Sequence, residues 1–521
     1  MLRRLLVAAV LAFTCGCRDD DAPIDAAVDA TELDGAVDAS TDGMPRDAQN
    51  DVLLDAATDA TSDSRSDSGL DAPTIEYGLQ TSPDPQPDYG GTVFRVSDDP
   101  SLARANSDAE PGDVIELVAG TYTDWRFSIS ASGSDARRLI VRAESPGVTF
   151  TGDSQMRITG TNLWVEGFRF VSTEEQALVV VGSFNRITRN YFEGCGTTGR
   201  ETIRLVDRST EVELDNNEIT DSHRQSIIAF SPNLDDPTQL GPQRHDIHHN
   251  FIHDIPRRID NGGEAMTSIG GRYDPAERYE NRFEYNLIER FSNDAEVLSV
   301  KNGGWLVRYN RFVDCEGTLT LRISNNCTIE ANVFVRSEGI RIAGANHQVL
   351  NNHFDGSETG LILHHGYLLA DGSPSYLTAR DNLIAHNTFR VMGDQVAAAI
   401  SRPAPYVYDA SASSNVIVNN VFWRVDGGAW LADSVTNTFL EDNTWRRNIF
   451  WSGGGAYPSA DLPSGEGIVS EDPRLSSTGG WLVPDADSVV VDAGESGHTP
   501  IDARARTRDE SPDIGALERR D

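Results

Sequence analysis

The chain has 521 residues, of which 38% are hydrophobic, 8% aromatic and 24% charged, enough apolar material for a real core. Acidic residues outnumber basic ones 81 to 44, for a net charge of -37, which excludes a generic binder of nucleic acid or anionic membrane, because phosphate backbones are met by basic surfaces. An acidic ligand must therefore meet a local group of Arg or a bound cation. A rule of about 150 residues per domain gives three or four domains, but a repeat fold escapes it.

Arg3 and Arg4 precede a short apolar run, Leu5 to Phe13, which ends at Thr14-Cys-Gly-Cys17. This pattern describes a secretory signal over 1–17 and resembles a bacterial lipoprotein signal with Cys17 as the lipidated residue; Cys15 in that role and an ordinary signal peptide are the alternatives. The run is too short to span a bilayer. The expected location is the cell surface or periplasm, anchored to the outer membrane by lipid alone.

Residues 18–88 read as an acidic linker. From 18 to 71 there are 16 acidic and 3 basic residues, and Asp recurs every fourth residue from Asp51 to Asp71. Such a segment buries little and repels itself, so a disordered, extended tether is expected.

From 89 to 455 the chain predicts an all-β fold, a right-handed parallel β-helix. Pro111–Leu117 and Ala119–Tyr122 read as its first turn. A motif then recurs, Asn followed two residues later by Phe, Ile or Leu. It starts at Asn190, Asn217, Asn250, Asn286, Asn310, Asn332, Asn352, Asn387, Asn420 and Asn448. Intervals of 20 to 24 fit one bare coil, and those of 33 to 36 fit a coil with an added loop. Between motifs lie β-branched or alternating runs such as Leu178–Val181 and Gly339–Ile342. Stacked turn asparagines would bond one another along the axis. Residues 456–521 read as a cap, with Asp513–Glu518 covering the open edge of the last coil. Cys195, Cys315 and Cys327 follow the signal. A Cys315–Cys327 disulfide and buried free thiols are both open.

The chemistry concentrates between 261 and 347. Lys301 lies nine residues before Asn310, Arg322 ten before Asn332 and Arg341 eleven before Asn352. On a coil with about 4.8 Å between strands these three side chains would form one row. Asp294 and Glu296 are two apart, so a strand would point both to one side. Lys301 is the only lysine in the sequence; the other 43 basic residues are Arg. Lys can lose its proton and act as a base, whereas Arg effectively cannot.

The residues Asn261-Gly-Gly-Glu264, Asp294-Ala-Glu296, Lys301, Gly317–Arg322 and Gly339-Ile-Arg341 together resemble polysaccharide lyase family six. That family contains alginate lyases and the dermatan-cleaving chondroitinase B. The resemblance spans about residues 90 to 400. It implies calcium-assisted β-elimination on a uronic-acid polymer, either alginate or a dermatan/chondroitin-type glycosaminoglycan. In that picture Lys301 is the base and Arg322 assists departure of the leaving oxygen. Asn261, Asp294 and Glu296 hold Ca2+. Arg341, Arg272, Glu264 and His347 contact an anionic polysaccharide, and a monomer is the default. The chain departs from the family pattern at Asp294, where Glu is usual, and at Ile323, where His is usual.

Two rival functions fit parts of this pattern. A β-helix hydrolase needs two carboxylates flanking a glycosidic bond. A non-catalytic surface binding or adhesion protein would use the tether and anchor equally well, but would have no special use for the lone lysine. His245, His248, His249 and His253, with Asp246 and Asp254, carry ligand types suited to a transition-metal site. The plainer reading is a polar loop rimming the groove, with His364 and His365 as further lining.

Overall fold

The computed structural model describes residues 75–521 except 207–208, 223–225, 232–240, 259–261, 269–277, 369–371, 373, 401–406, 434–439, 441 and 521. Cys17, most of the acidic linker, Asn261 and Arg272 therefore lie outside the described residues.

The described chain is a parallel β-helix. Short strands pair in parallel with the strands one coil before and one coil after. One 14-stranded sheet runs from Val93–Val96 to Thr444–Arg446. The other parallel strands form two ladders, which begin at Gly120–Thr123 and at Arg126–Ile129. They merge where the long strands His353–His364 and Thr388–Ile400 pair with both.

The recurring motif explains itself in this frame. Its Asn forms a corner between two strands, and the apolar residue two positions on points into the core. Phe312, Phe334, Phe354, Phe389, Phe422 and Phe450 stack ring on ring, with centroids 4.4 to 5.3 Å apart. The ten asparagines form one unbroken ladder. Asn310 is typical: its Nδ2 donates to Phe283 O at 2.7 Å and to Asn332 Oδ1 at 3.0 Å. Its Oδ1 accepts from the backbone N and the Nδ2 of Asn286, at 3.0 and 3.1 Å.

The ladder also offsets a local cost. The residue before each ladder Asn takes a left-handed conformation, for example Tyr285 at φ 55, Tyr309 at φ 52 and Ala331 at φ 53. That conformation costs an L-residue roughly 1–2 kcal/mol. Each bend is held by satisfied buried bonds rather than by glycine.

The ends are closed differently. At the start, the helix Asp99–Asp108 buries Leu102 and Ala105 against the first coil, and the Asp98 side chain caps it by accepting from Ser101 N at 2.8 Å. At the finish, residues after the last strand fold over the core: Tyr457, Leu462 and Ile468 pack on it, and Phe450 N donates to Val469 O at 2.9 Å. The closing segment Asp513–Glu518 does not cover the last coil, contrary to expectation. It lies along the flank, where Gly515 N donates to Asn419 O at 2.8 Å and Ala516 N to Thr388 Oγ1 at 2.9 Å. Buried Arg508 fastens it to Glu518 and to Asn351 Oδ1. The three cysteines are buried and free, and burial pushes each thiol well up, Cys195 and Cys327 to about 11 and Cys315 to about 12.

Candidate active site

The strands Met266–Ser268, Glu296–Val300, Thr318–Leu321 and Ile340–Ile342 stack in register, with Ser268, Val300, Leu321 and Ile342 in one inward row. Lys301 directly follows Val300, and Arg322 directly follows Leu321. Arg322 N donates to Val300 O at 2.9 Å. The two cations therefore project from neighbouring coils at the same point, as expected. Arg341 is not third in that row. It pairs with Thr320, which pairs with Ser299 and then Thr267, so it stands two residues earlier along its strand, on the same outward face. Core residues set the register strand by strand, whereas counting back from the Asn corner crosses a turn of variable length.

The carboxylates are held by local backbone geometry. Asp294 is not in a strand beside Glu296; it sits in the turn before it. Its Oδ1 accepts from Glu296 N and its Oδ2 from Gly263 N, both at 2.9 Å. A β-bulge between Glu296 and Leu298 then sends Val297 and Leu298 both into the core, which leaves Glu296 and Ser299 facing out.

Around Glu296 three cations converge. Tyr376 Oη donates to Glu296 Oε1 at 2.7 Å, and Arg341 lies 3.6 Å from the same oxygen. Burial works against this carboxylate, but Arg322, Arg341 and Lys301 outweigh it and hold it below the usual range. Lys301 Nζ is 3.6 Å from Glu264 Oε1 and donates to Thr267 Oγ1 at 3.4 Å. Ser226 Oγ donates to the other oxygen of Glu264 at 2.7 Å. Among the described residues Asp294 has no such cation. Burial, then the charges of Glu264 and Glu296, push its carboxyl up to about 7.

Tyr376 was not legible as a functional residue. It lies in a three-stranded antiparallel insertion of Gly366–Leu368, Pro374–Tyr376 and Val407–Ala410. Its ring is 4.8 Å from the Arg322 guanidinium, and Arg322 Nε donates to Ser375 O at 3.4 Å. The available signal was the pair of long intervals, 35 and 33, on either side of Asn387.

Several expected residues lie elsewhere. His347 is buried, and its Nδ1 accepts from Cys327 N at 3.1 Å, so it serves a turn and not the groove. His245 does the same for Val212 N at 3.0 Å, and burial pushes it down to about 3. His248 and Asp246 are on a strand of the 14-stranded sheet, not in a loop. His253 pairs with Asp254 and Glu218. His365 Nδ1 accepts from Ala412 N at 2.9 Å, while His364 stacks on Tyr376 at 4.2 Å. Among the described residues, Glu213, Asp215 and His248 bring their ligand atoms within 4.8 Å of one another. Arg186 fills that site, bonding both oxygens of Asp215 at 3.0 and 2.8 Å.

A model of the chondroitinase B family matches residues 96–396. Among solved structures, the PL6 family alginate lyase AlyGC superposes with a TM-score of 0.64 at 21% identity, covering 81% of this chain. This chain spans only 58% of that protein's length. A PL6 family polysaccharide lyase from Pseudopedobacter saltans gives 0.61 at 20% identity, covering 75% of this chain and 99% of that one. A mannuronic acid specific family 6 lyase from human gut microbiota gives 0.60 at 19% identity, covering 74% of this chain and 92% of that one. No curated protein matches the chain.

Proposed function

From the premise that this chain belongs to the chondroitinase B family of polysaccharide lyases, we propose that it cleaves a uronic-acid polymer by β-elimination, with alginate or a dermatan/chondroitin-type glycosaminoglycan as substrate. The observation that carries this reading is the placement of the sole lysine beside Arg322 on neighbouring coils, within reach of buried carboxylates.

The proton on C5 of a uronate is weakly acidic, and the adjacent carboxylate makes its removal harder. Lys301 is the only side chain of its type available as a base, and Glu264 and Thr267 fix its Nζ. Base catalysis needs geometry first, then proton affinity. Arg322, one coil on, stands where the glycosidic oxygen leaves and holds developing negative charge there. Arg341, expected to contact the polymer, is instead buried against Glu296 and Tyr376, where it holds the Glu296 carboxylate in place. Tyr376 packs under Arg322 and fixes Glu296, so it positions both charges.

The carboxylates fit a hard cation. Asp294, Glu296 and Glu264 are oxygen donors close enough that the last two raise the proton affinity of the first, a repulsion that a divalent ion relieves. Ca2+ held by Asp294 and Glu296, with Asn261 as a further donor, would neutralise the uronate carboxylate. A hydrolase is disfavoured because Asp294 caps the backbone of Glu296, which puts both carboxyls on one side of any bound sugar. We further propose export as a lipoprotein through Cys17.

The direct test is to mix the purified protein with polymannuronate, polyguluronate, dermatan sulfate and chondroitin sulfate and follow the ultraviolet absorbance of an unsaturated uronate. A rising signal with at least one polymer is expected; flat traces with all four overturn the lyase reading.

A further inference from the structure

The same outward face continues on the N-terminal side of the reacting pair. The row that holds Arg341, Thr320, Ser299 and Thr267 runs on through Ala229, Arg204, Val179 and Arg157. Between the reacting coils and Arg204 its members are the small residues Thr267 and Ala229, both buried. At Arg204 the face opens into a cavity of about 250 Å³ lined by Gln155, Arg157, Gln176, Val179, Arg204, Val206 and Ser231.

Two features set these arginines apart. Most arginines here are matched to acids, as Arg186, Arg290 and Arg336 are. Among the described residues neither Arg157 nor Arg204 has an ion-pair partner, and Arg204 Nε is buried with nothing to bond. Their placement is also regular. Val179 lies between them, outward-facing yet only 5% exposed. Arg157 and Arg204 therefore stand two coils apart, about 9.6 Å at the usual strand spacing.

We propose that Arg157 and Arg204 form a distal site that grips carboxylates of a polyuronate, alternate sugars at a time. The inference rests on the lyase reading for the polymer class. In an extended 1,4-linked ribbon with a twofold twist, successive carboxylates point to opposite sides. Only every second one faces the protein, and a two-coil step is on the scale of that disaccharide repeat. Guanidinium forks suit carboxylates, and a buried unbonded Nε gains most from an incoming oxygen. The site sits on rigid strands, so it fixes the chain's register over Lys301.

The test uses the full chain carrying Arg157→Gln, Arg204→Gln and the pair. Binding to polymannuronate and polyguluronate is read by retardation in polymer-containing gels, and kcat/KM is read on oligouronates of graded length. Each single change is expected to weaken polymer binding about three- to tenfold, with the pair multiplying, and the loss in kcat/KM is expected to grow with oligomer length. Arg157→Lys with Arg204→Lys keeps the charge but not the fork, so it should fall between wild type and the Gln pair, and it serves if the Gln pair fails to fold. Unchanged polymer affinity in the paired variant, an equal loss at every oligomer length, or a wild-type protein that binds neither polymer overturns the site. Binding that is lost in the variants without any unsaturated product from wild type would instead overturn the lyase reading and leave the site standing.

Discussion

Replacing Lys301 by Arg separates a base from a mere contact. The substitution keeps the positive charge near Glu264, whose Oε1 lies 3.6 Å from Nζ. The Lys301 side chain is 23% exposed, so that ion pair is partly screened and contributes about 1 kcal/mol or less. Losing it entirely would change ground-state binding by only about fivefold. A guanidinium, in contrast, stays protonated at any working pH. Removing a general base typically costs about 10²- to 10⁴-fold in rate. The two effects thus differ by more than an order of magnitude and fall on different parameters. We expect Lys301→Arg to bind polyuronate within about fivefold of wild type while kcat falls at least a hundredfold. Circular dichroism checks the fold, gel retardation reads binding, and unsaturated-uronate absorbance reads turnover. A variant with near wild-type kcat would refute the base assignment, and the lone lysine would then be an accident of an arginine-rich composition.

Excess chelator should abolish turnover and leave the circular dichroism unchanged, because the core and ladder do not depend on the acidic turn; full activity in chelator would end the calcium role. Tyr376→Phe removes the 2.7 Å bond to Glu296 and should raise the calcium needed for half-maximal turnover by about tenfold, near 1.4 kcal/mol. Asp294 is raised in the folded state, so it binds its proton more tightly folded than unfolded, and its contribution to stability falls as pH rises from about 4 to about 7. In chelator, Asp294→Asn should therefore lose less melting temperature than wild type between pH 5 and pH 8. Asn310→Leu orphans a buried N–H and a buried carbonyl on adjoining coils and should cost about 3 kcal/mol in urea unfolding. Cys17→Ala should release the protein from membranes or block its processing, as fractionation would show.

The coil was legible because its strongest constraint is written once per turn. An Asn that must bond its neighbours, followed by a core residue, leaves the same three-residue mark ten times. The Lys301–Arg322 pair was legible for a related reason, since the strands that carry them differ little in length. Arg341 falls two residues short of the Lys301–Arg322 column because Ala343, nine residues before Asn352, is the residue that continues it; intervals of nine, ten and eleven look alike in sequence, but two residues along a strand is a different column. Asp294 was read as strand because spacing alone does not reveal a side chain that caps its own backbone two residues on. Tyr376 and the flank position of Asp513–Glu518 depend on contacts 80 to 150 residues apart in sequence, such as Tyr376 with Glu296 and Asn351 with Ile501. No local pattern encodes those.

The corner that carries the Asn ladder always contains two residues, from Arg189-Asn190 to Arg447-Asn448, while the coil interval swings between 20 and 36. All variation in length is therefore pushed to the other two bends. The corner behaves as a binding spine of a book, and the remaining edges are free to carry pages of any size. Each coil's strands lean only on those of its neighbours, so the strand register survives a loop exchanged at an outer bend, while a long loop reaches further, as Tyr376 does to Glu296. The insertion that brings Tyr376 over Arg322 is such a page. Substrate choice could then drift through loop replacement, as Lys301 and Arg322 stay fixed by the register of the strands beneath them.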